Sequence, residues 1–138
     1  MLVTTHLTKR ILVNNGKVIK ISFKGIYPPG SEGNEAANDM CKKTEEFIKF
    51  EDPSGVLFDL IGLNYKFGDA ICCLAHTLID KSSNIMKPAC VLAKGRTLKA
   101  ITPLFDKNWA FGIFQIRLFS TENEALGYLQ ERLYTKQF

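Results

Sequence analysis

No stretch of this sequence approaches the ~18 uninterrupted apolar residues that a membrane span requires. The N-terminal MLVTTHLTKR places its basic residues after a short mixed stretch and has no apolar signal core. A cytoplasmic location and no membrane partner are the expectation. Cysteine is scarce, with Cys41, Cys72, Cys73 and Cys90 forming no C-x-x-C pair. Cys72 and Cys73 are adjacent, and neighbours on a helix point in different directions, which argues against a joint metal site. The two histidines, His6 and His76, have no ligand spacing to them. All four cysteines therefore read as small core residues or free thiols in a reducing compartment. His76 stands at helical spacing from Cys72 and Cys73, but no orienting acid can be assigned and the segment reads as buried. No paired catalytic carboxylates stand out either, and no G-x-x-x-x-G-K-[ST] loop is present. The expectation is a non-enzyme with no catalytic residue, metal or cofactor.

Acid is absent from the first part of the chain. Lys9, Arg10, Lys17, Lys20 and Lys24 precede the first acid, Glu32. A second basic cluster is Lys87, Lys94, Arg96 and Lys99. Asymmetry of this kind can mark an anionic partner. The N-terminal cations, however, alternate with apolar residues in strand order, so solvated strand faces are the simpler reading. Nucleic-acid binding calls for denser Lys and Arg interleaved with aromatics on one face, and is not expected.

What is present fits one domain spanning 1–138, with 46% hydrophobic and 23% charged residues and ten Phe for an aromatic core. KRILVN, Asn15-Gly16 and KVIKISFKGIY (Lys17 to Tyr27) predict an antiparallel hairpin with one buried face. Ala36, Ala37, Met40, Cys41, Thr44, Phe47 and Ile48 recur at helical spacing and predict an amphipathic helix, stopped at Asp52-Pro53-Ser54-Gly55. GVLFDLIGL (Gly55 to Leu63) reads as a strand buried on both faces. DAICCLAHTLID (Asp69 to Asp80) reads as a strongly apolar helix and KPACVLA (Lys87 to Ala93) as the next strand. Thr97 to Asp106 reads as a third helix with Pro103 as its weak point. FGIFQIRLF (Phe111 to Phe119) supplies a further strand. A last helix follows, with Thr121 and Glu124 at capping-box spacing and Leu126, Leu129 and Leu133 facing inward. The order β-β-α-β-α-β-α-β-α predicts an α/β fold with a mixed central sheet. No repeat, low-complexity segment or linker divides it.

This order, with two local motifs, resembles the STAS family: anti-sigma factor antagonists of the SpoIIAA type and the related domains of sulfate transporters. VLFDLIGLNYKFGDAI (Val56 to Ile71) is similar to that family's strand ending in Asp-Leu, followed by a loop with an aromatic and a helix opening on an Asp-Ser-Ser-Gly-like tetrapeptide. LFSTENEALGYL (Leu118 to Leu129) is similar to its entry into the last helix. The resemblance implies a STAS/SpoIIAA-like fold and a non-catalytic regulatory or protein-interaction module. The partner it implies is a kinase-like protein or another regulator, and a homodimer is compatible with it. In the family the tetrapeptide carries a regulatory phosphorylatable serine. Here the tetrapeptide is Phe67-Gly68-Asp69-Ala70, and the serine position falls on Asp69. A carboxylate mimics phosphoserine only in part, since phosphate carries about −1.5 to −2 charges and three acceptor oxygens.

Two sets of candidate residues follow. Asn64, Tyr65, Lys66, Phe67, Gly68 and Asp69 place two aromatics and a cation beside a helix start, as a partner-binding surface would. The aromatics could equally plug the end of the core. Asp69 could equally be a helix cap, the simpler reading, contributing ~0.5–2 kcal/mol. Lys94, Gly95, Arg96 and Thr97 combine two cations, a permissive Gly and a helix start. They are candidates for anion binding, in an alternative reading of the chain as a small-molecule or anion-binding domain, or for an ordinary Gly-aided turn. If the two parallel strands are neighbours, both sets lie at the carboxyl edge of the sheet, where ligands of open α/β sheets bind.

Overall fold

The computed structural model describes residues 3–13, 16–80 and 82–135, with the side chains of 134 and 135 excepted. Its centre is a six-stranded mixed sheet. Strands β1 (Val3–Val13) and β2 (Gly16–Ile26) form the expected antiparallel ribbon, with a bulge between Leu7 and Lys9. Asn15, half of the expected turn, lies outside the described residues. Helix α1 (Ser31–Glu51) ends where Asp52 takes a left-handed φ of 45° and donates its N–H to the Ile48 carbonyl, just ahead of Pro53. Strand β3 (Gly55–Asp59) runs parallel to β2 on one side and to β7 (Ala89–Leu92) on the other. Strand β8 (Arg117–Phe119) closes the far edge, parallel to β7. This is the mixed α/β sheet that the element order predicts.

Two apolar clusters clothe the sheet. On one face Ile19, Ile21, Phe58 and Val91 pack with Ala37, Met40 and Ile48 of α1 and with Ile71, Leu74 and Ile101. On the other, Val18, Leu57, Cys90 and Leu92 meet Ala125, Leu129 and Leu133 of the last helix, α5 (Glu122–Thr135). The Thr121–Glu124 spacing is realised: the Glu124 N–H reaches Thr121 Oγ1 at 3.3 Å, and that hydroxyl donates to Glu124 Oε1 at 2.8 Å.

Four regions depart from the sequence reading. The strand expected over 55–63 breaks after Asp59, whose Oδ1 accepts the Ile61 N–H at 2.9 Å and turns the chain. It resumes as β4 (Leu63–Asn64), paired with the end of β2. The apolar helix expected over 69–80 is only a 3₁₀ turn, Ala70–Cys72, and one α turn, α2 (Cys73–His76). Thr77 stops it by donating its hydroxyl to the Leu74 carbonyl at 2.6 Å. The chain then makes a small hairpin, β5 (Ile79–Asp80) with β6 (Ile85–Met86), which the sequence reading lacked. The third helix, α3 (Gly95–Ile101), passes into a 3₁₀ turn at Thr102–Phe105 because Pro103 has no N–H to continue it. The first half of the expected strand Phe111–Phe119 is instead one helical turn, α4 (Ala110–Ile113). Phe111 is buried there, stacked on Phe105 at 4.8 Å, and Gly112 lies so near the Asp106 carbonyl that a Cβ would collide with it.

The cysteines need a correction. Cys41 on α1 and Cys73 on α2 form a disulfide, with Cα atoms 6.4 Å apart. Cys72 and Cys90 are free and buried. Adjacency does make Cys72 and Cys73 diverge, but Cys73 diverges toward a partner that the linear spacing hides. The N-terminal cations Lys9, Arg10 and Lys24 lie on solvated faces as expected, but four of the five cations are also paired with carboxylates. Arg10 and Lys17 both hold Glu51, at 2.6 Å and 3.0 Å, and Lys9 and Lys20 both hold Glu122, at 2.9 Å and 2.6 Å. No helix is long and apolar enough to cross a membrane among the described residues.

Candidate functional site

The carboxyl ends of β2, β3 and β7 bring the two candidate sets together. β4 holds Asn64 beside Ile26, and the Tyr27 N–H donates to the Asn64 carbonyl at 2.9 Å. The Thr97 hydroxyl, buried at the start of α3, donates to the Leu63 carbonyl at 2.7 Å and accepts the Tyr65 N–H at 3.4 Å. Thr97 is thus the rivet between the two loops and is not available to an anion. Lys94, Gly95 and Arg96 are exposed, with Gly95 at a left-handed φ of 59° that suits glycine.

Within the loop the two aromatics part company. Tyr65 is only 2% exposed, its ring 5.1 Å from that of Tyr27 and its hydroxyl donating to the Gly68 carbonyl. It plugs the end of the core, so its place in the partner-binding surface is corrected to a supporting one. Burial pushes both tyrosine hydroxyls upward, and the Asp69 charge adds to this, so both stay neutral. Phe67, two residues on, is 60% exposed. Gly68 takes φ 121°, a backbone conformation foreign to side-chain-bearing residues, and lies over the Tyr27 ring. Asn64, Lys66 and Asp69 are exposed.

Asp69 is not the cap the sequence favours. Its side chain makes no capping hydrogen bond, and only its carbonyl takes part, accepting the Cys72 N–H at 3.0 Å. An N-cap needs extended backbone to swing its oxygen over the first amides, whereas Asp69 lies at φ −107°, ψ −6°. The carboxylate faces solvent beside the helical turn.

Sequence reasoning missed four neighbours. Ile26, at the end of β2, and Ile61, in the bend after β3, are exposed apolar residues flanking the loop. Lys24 packs against the same bend at Gly62. Trp109, the sole Trp of the chain, is 42% exposed, and its indole N–H lies against the Cys72 thiol. Only the rarity of Trp could have signalled it; Ile26 and Ile61 read as ordinary strand residues. His76 is exposed with its ring edge-on to Phe114 at 5.8 Å, whereas the free thiols of Cys72 and Cys90 are buried. A separate cleft of about 570 Å³ opens between α1 and the 76–87 segment, lined by Glu45, Lys49, Asp52, His76, Asp80 and Lys87 among others. It includes none of the residues proposed for anion binding, and its Lys87 is tied to Asp52 at 3.2 Å. Among the described residues no three His, Cys, Asp or Glu side chains are grouped to hold a metal.

Among the described residues the arrangement is a hydrogen-bonded loop that presents one aromatic, flanking isoleucines and charges outside any ion pair, with no nucleophile–base pair. No model of a protein family matches the chain, and no curated protein matches it in sequence. Its shape does match: the crystal structure of an anti-sigma factor antagonist from Mycobacterium paratuberculosis superposes over 93% of this chain and 94% of its own, with a TM-score of 0.60 and 17% sequence identity. The chain therefore has a STAS-like fold, that of an anti-sigma factor antagonist.

Proposed function

We propose that this protein is a non-catalytic regulatory module, one domain acting in the cytoplasm, that binds a protein partner through Phe67 and its surroundings. The observation that carries the reading is the contrast within one loop. Tyr65, Gly68 and Thr97 fix the backbone, and the fixed backbone holds Phe67 out in solvent. An aromatic presented by a pre-ordered loop binds without a large ordering cost, which is how interface anchors work. Asn64, Lys66 and Asp69 supply the polar surround, and the fold likeness supports a protein as the partner. In this reading the partner is a kinase-like protein or another regulator. Asp69, where the resembling family keeps its serine, provides a permanent negative charge in place of a phosphorylation-dependent one.

The alternative, an anion site at Lys94, Gly95 and Arg96, has less behind it. Thr97 is engaged internally, and α3 is a helix of seven residues. The test is capture of a partner from the native lysate by wild-type protein, Phe67→Asp and Asp69→Lys, each checked for an unchanged circular dichroism spectrum. The expected result is a partner retained by wild type and lost by Phe67→Asp. Undiminished capture by both variants would sink the reading. Thermal stabilisation by phosphates or nucleotides that disappears in Arg96→Ala would favour the alternative.

A further inference from the structure

The disulfide joins α1 to a stretch of the sheet's helical cover that Ile71, Leu74 and Leu78 pin to the core but whose backbone is built only of single turns. Between Asp69 and Leu78 the backbone is secured by a 3₁₀ turn, a four-residue helix and single i→i+3 bonds at Cys72, Thr77 and Leu78. Neither turn has a side-chain cap. Helical pieces this short are not stable on their own. Cys73 ties this segment to Cys41 in the middle of α1, which has 21 residues and packs on the sheet. The same segment follows directly on Phe67 and contains Asp69.

The rest of the fold does not depend on the bond. A chain of 138 residues with two apolar clusters is well above the ~70–80 residues below which folds need staples. The bond crosses no pair of sheet strands, and Cys73 is the more exposed of its two residues. The neighbouring thiol is a poor internal rival. Burial pushes Cys72 up to about 11, so little thiolate forms near neutral pH to attack the bond. Reducing it takes an external thiol. In a cytoplasm, a disulfide of this kind is more often a redox sensor than a staple.

We infer that Cys41–Cys73 is a reversible redox site, and that its reduction by a dithiol loosens Asp69–Leu78 from α1 while leaving the sheet intact. A thiolate of the dithiol attacks Sγ of Cys73, forming a mixed disulfide and expelling the Cys41 thiolate, which takes up a proton. The second thiolate of the reductant then attacks its own mixed-disulfide sulfur and releases the Cys73 thiolate, which is protonated in turn. Two electrons and two protons pass to the protein, and the reductant leaves as a disulfide. The segment so loosened contains Asp69 and follows directly on Phe67 of the proposed interaction surface, so the regulatory meaning of the site rests on that reading; the loosening itself does not.

The experiment is hydrogen exchange on the full chain, oxidised and after treatment with dithiothreitol, with Cys41→Ala and Cys73→Ala measured alongside. The expected result is exchange over Asp69–Leu78 faster by about tenfold in the reduced protein and in both variants, with β3 and β7 unchanged. Three results overturn the inference: no change in the segment, acceleration of β3 and β7 to the same extent, or a disulfide that dithiothreitol reduces only in denaturant. Should either variant fail to fold, the reduced wild type decides alone. No partner enters this readout, so its failure is distinct from failure of the Phe67 test.

Discussion

Along the β1–β2 ribbon, Lys9, Arg10, Lys17 and Lys20 all face carboxylates of this same chain, Glu51 and Glu122. At the carboxyl edge, Lys24, Lys66, Lys94 and Arg96 stand exposed, and among the described residues none of them enters an ion pair with the nearby Asp69. The ribbon gathers its polar groups further: Ser22 is buried, donates to Asp59 at 3.0 Å and shares a 2.9 Å bond with Thr8. At the edge, exposed Phe67, Ile26 and Ile61 lie among the cations instead. A cation that already has an internal carboxylate gains little from a partner, and one held out beside an exposed aromatic has its contacts still to make. The two regions are equally basic in sequence. Their difference places the ribbon in the scaffold and is what the proposed interaction surface at the edge rests on.

The comparison is broken most forcefully at Tyr65, which belongs to the edge by position and to the scaffold by burial. Tyr65→Ala removes a buried ring packed against Tyr27, and truncation of a buried aromatic costs about 3–5 kcal/mol. Tyr65→Phe keeps the ring and loses only the hydroxyl bond to Gly68, about 1 kcal/mol. Urea unfolding monitored by circular dichroism measures both. Near-wild-type stability of Tyr65→Ala would return Tyr65 to the surface and undo its separation from Phe67.

The ribbon can be tested by pH. Arg10 and Lys17, hydrogen-bonded to Glu51, hold its carboxyl down at about 2. A carboxyl whose folded value lies below its unfolded one of ~4.3 stabilises the fold above that unfolded value. The contribution fades as pH falls from there through about 2. The urea midpoint of wild type is therefore expected to drop over that interval more than that of Glu51→Gln, which has no carboxyl to protonate. Parallel acid profiles for the two proteins would mean that the ribbon's ion pairs are as loosely held as the edge's charges.

Much of this was legible in the sequence, for reasons visible in particular residues. The alternation of Val18, Ile19, Ile21 and Phe23 with lysines, the helical spacing of α1 and the apolar strand GVLFD each reflect one periodicity that a single element imposes. The element order and the place of the Asn64–Asp69 loop followed from them. What stayed hidden depends on contacts across the chain. ICCLAHTLID is apolar enough for a long helix, yet Thr77 ends it and β6 takes over Ile79 and Asp80. The loop's aromatics are alike in sequence, and only Tyr27 and Thr97, which approach through the fold, turn one inward and leave the other out. Cys41 and Cys73 are separated by 32 residues, with no spacing signal to join them.

The smallest expected effect is the most discriminating. Asp69 could act as a cap, which belongs with the scaffold, or as a surface charge, which belongs with Phe67. A capping side chain replaced by Ala costs ~0.5–2 kcal/mol, whereas a surface substitution stays within about ±0.5 kcal/mol. With no capping bond and backbone angles unsuited to one, Asp69→Ala is expected to leave the urea midpoint unchanged within that range. Asp69→Ser is expected to do the same. A loss near 1 kcal/mol in Asp69→Ala would make the carboxylate structural after all, leaving Phe67 to define the interaction surface without it. Unchanged stability together with altered capture in both variants would mean that the charge itself is read by the partner, the behaviour expected where a fixed acid stands in for a phosphorylation switch.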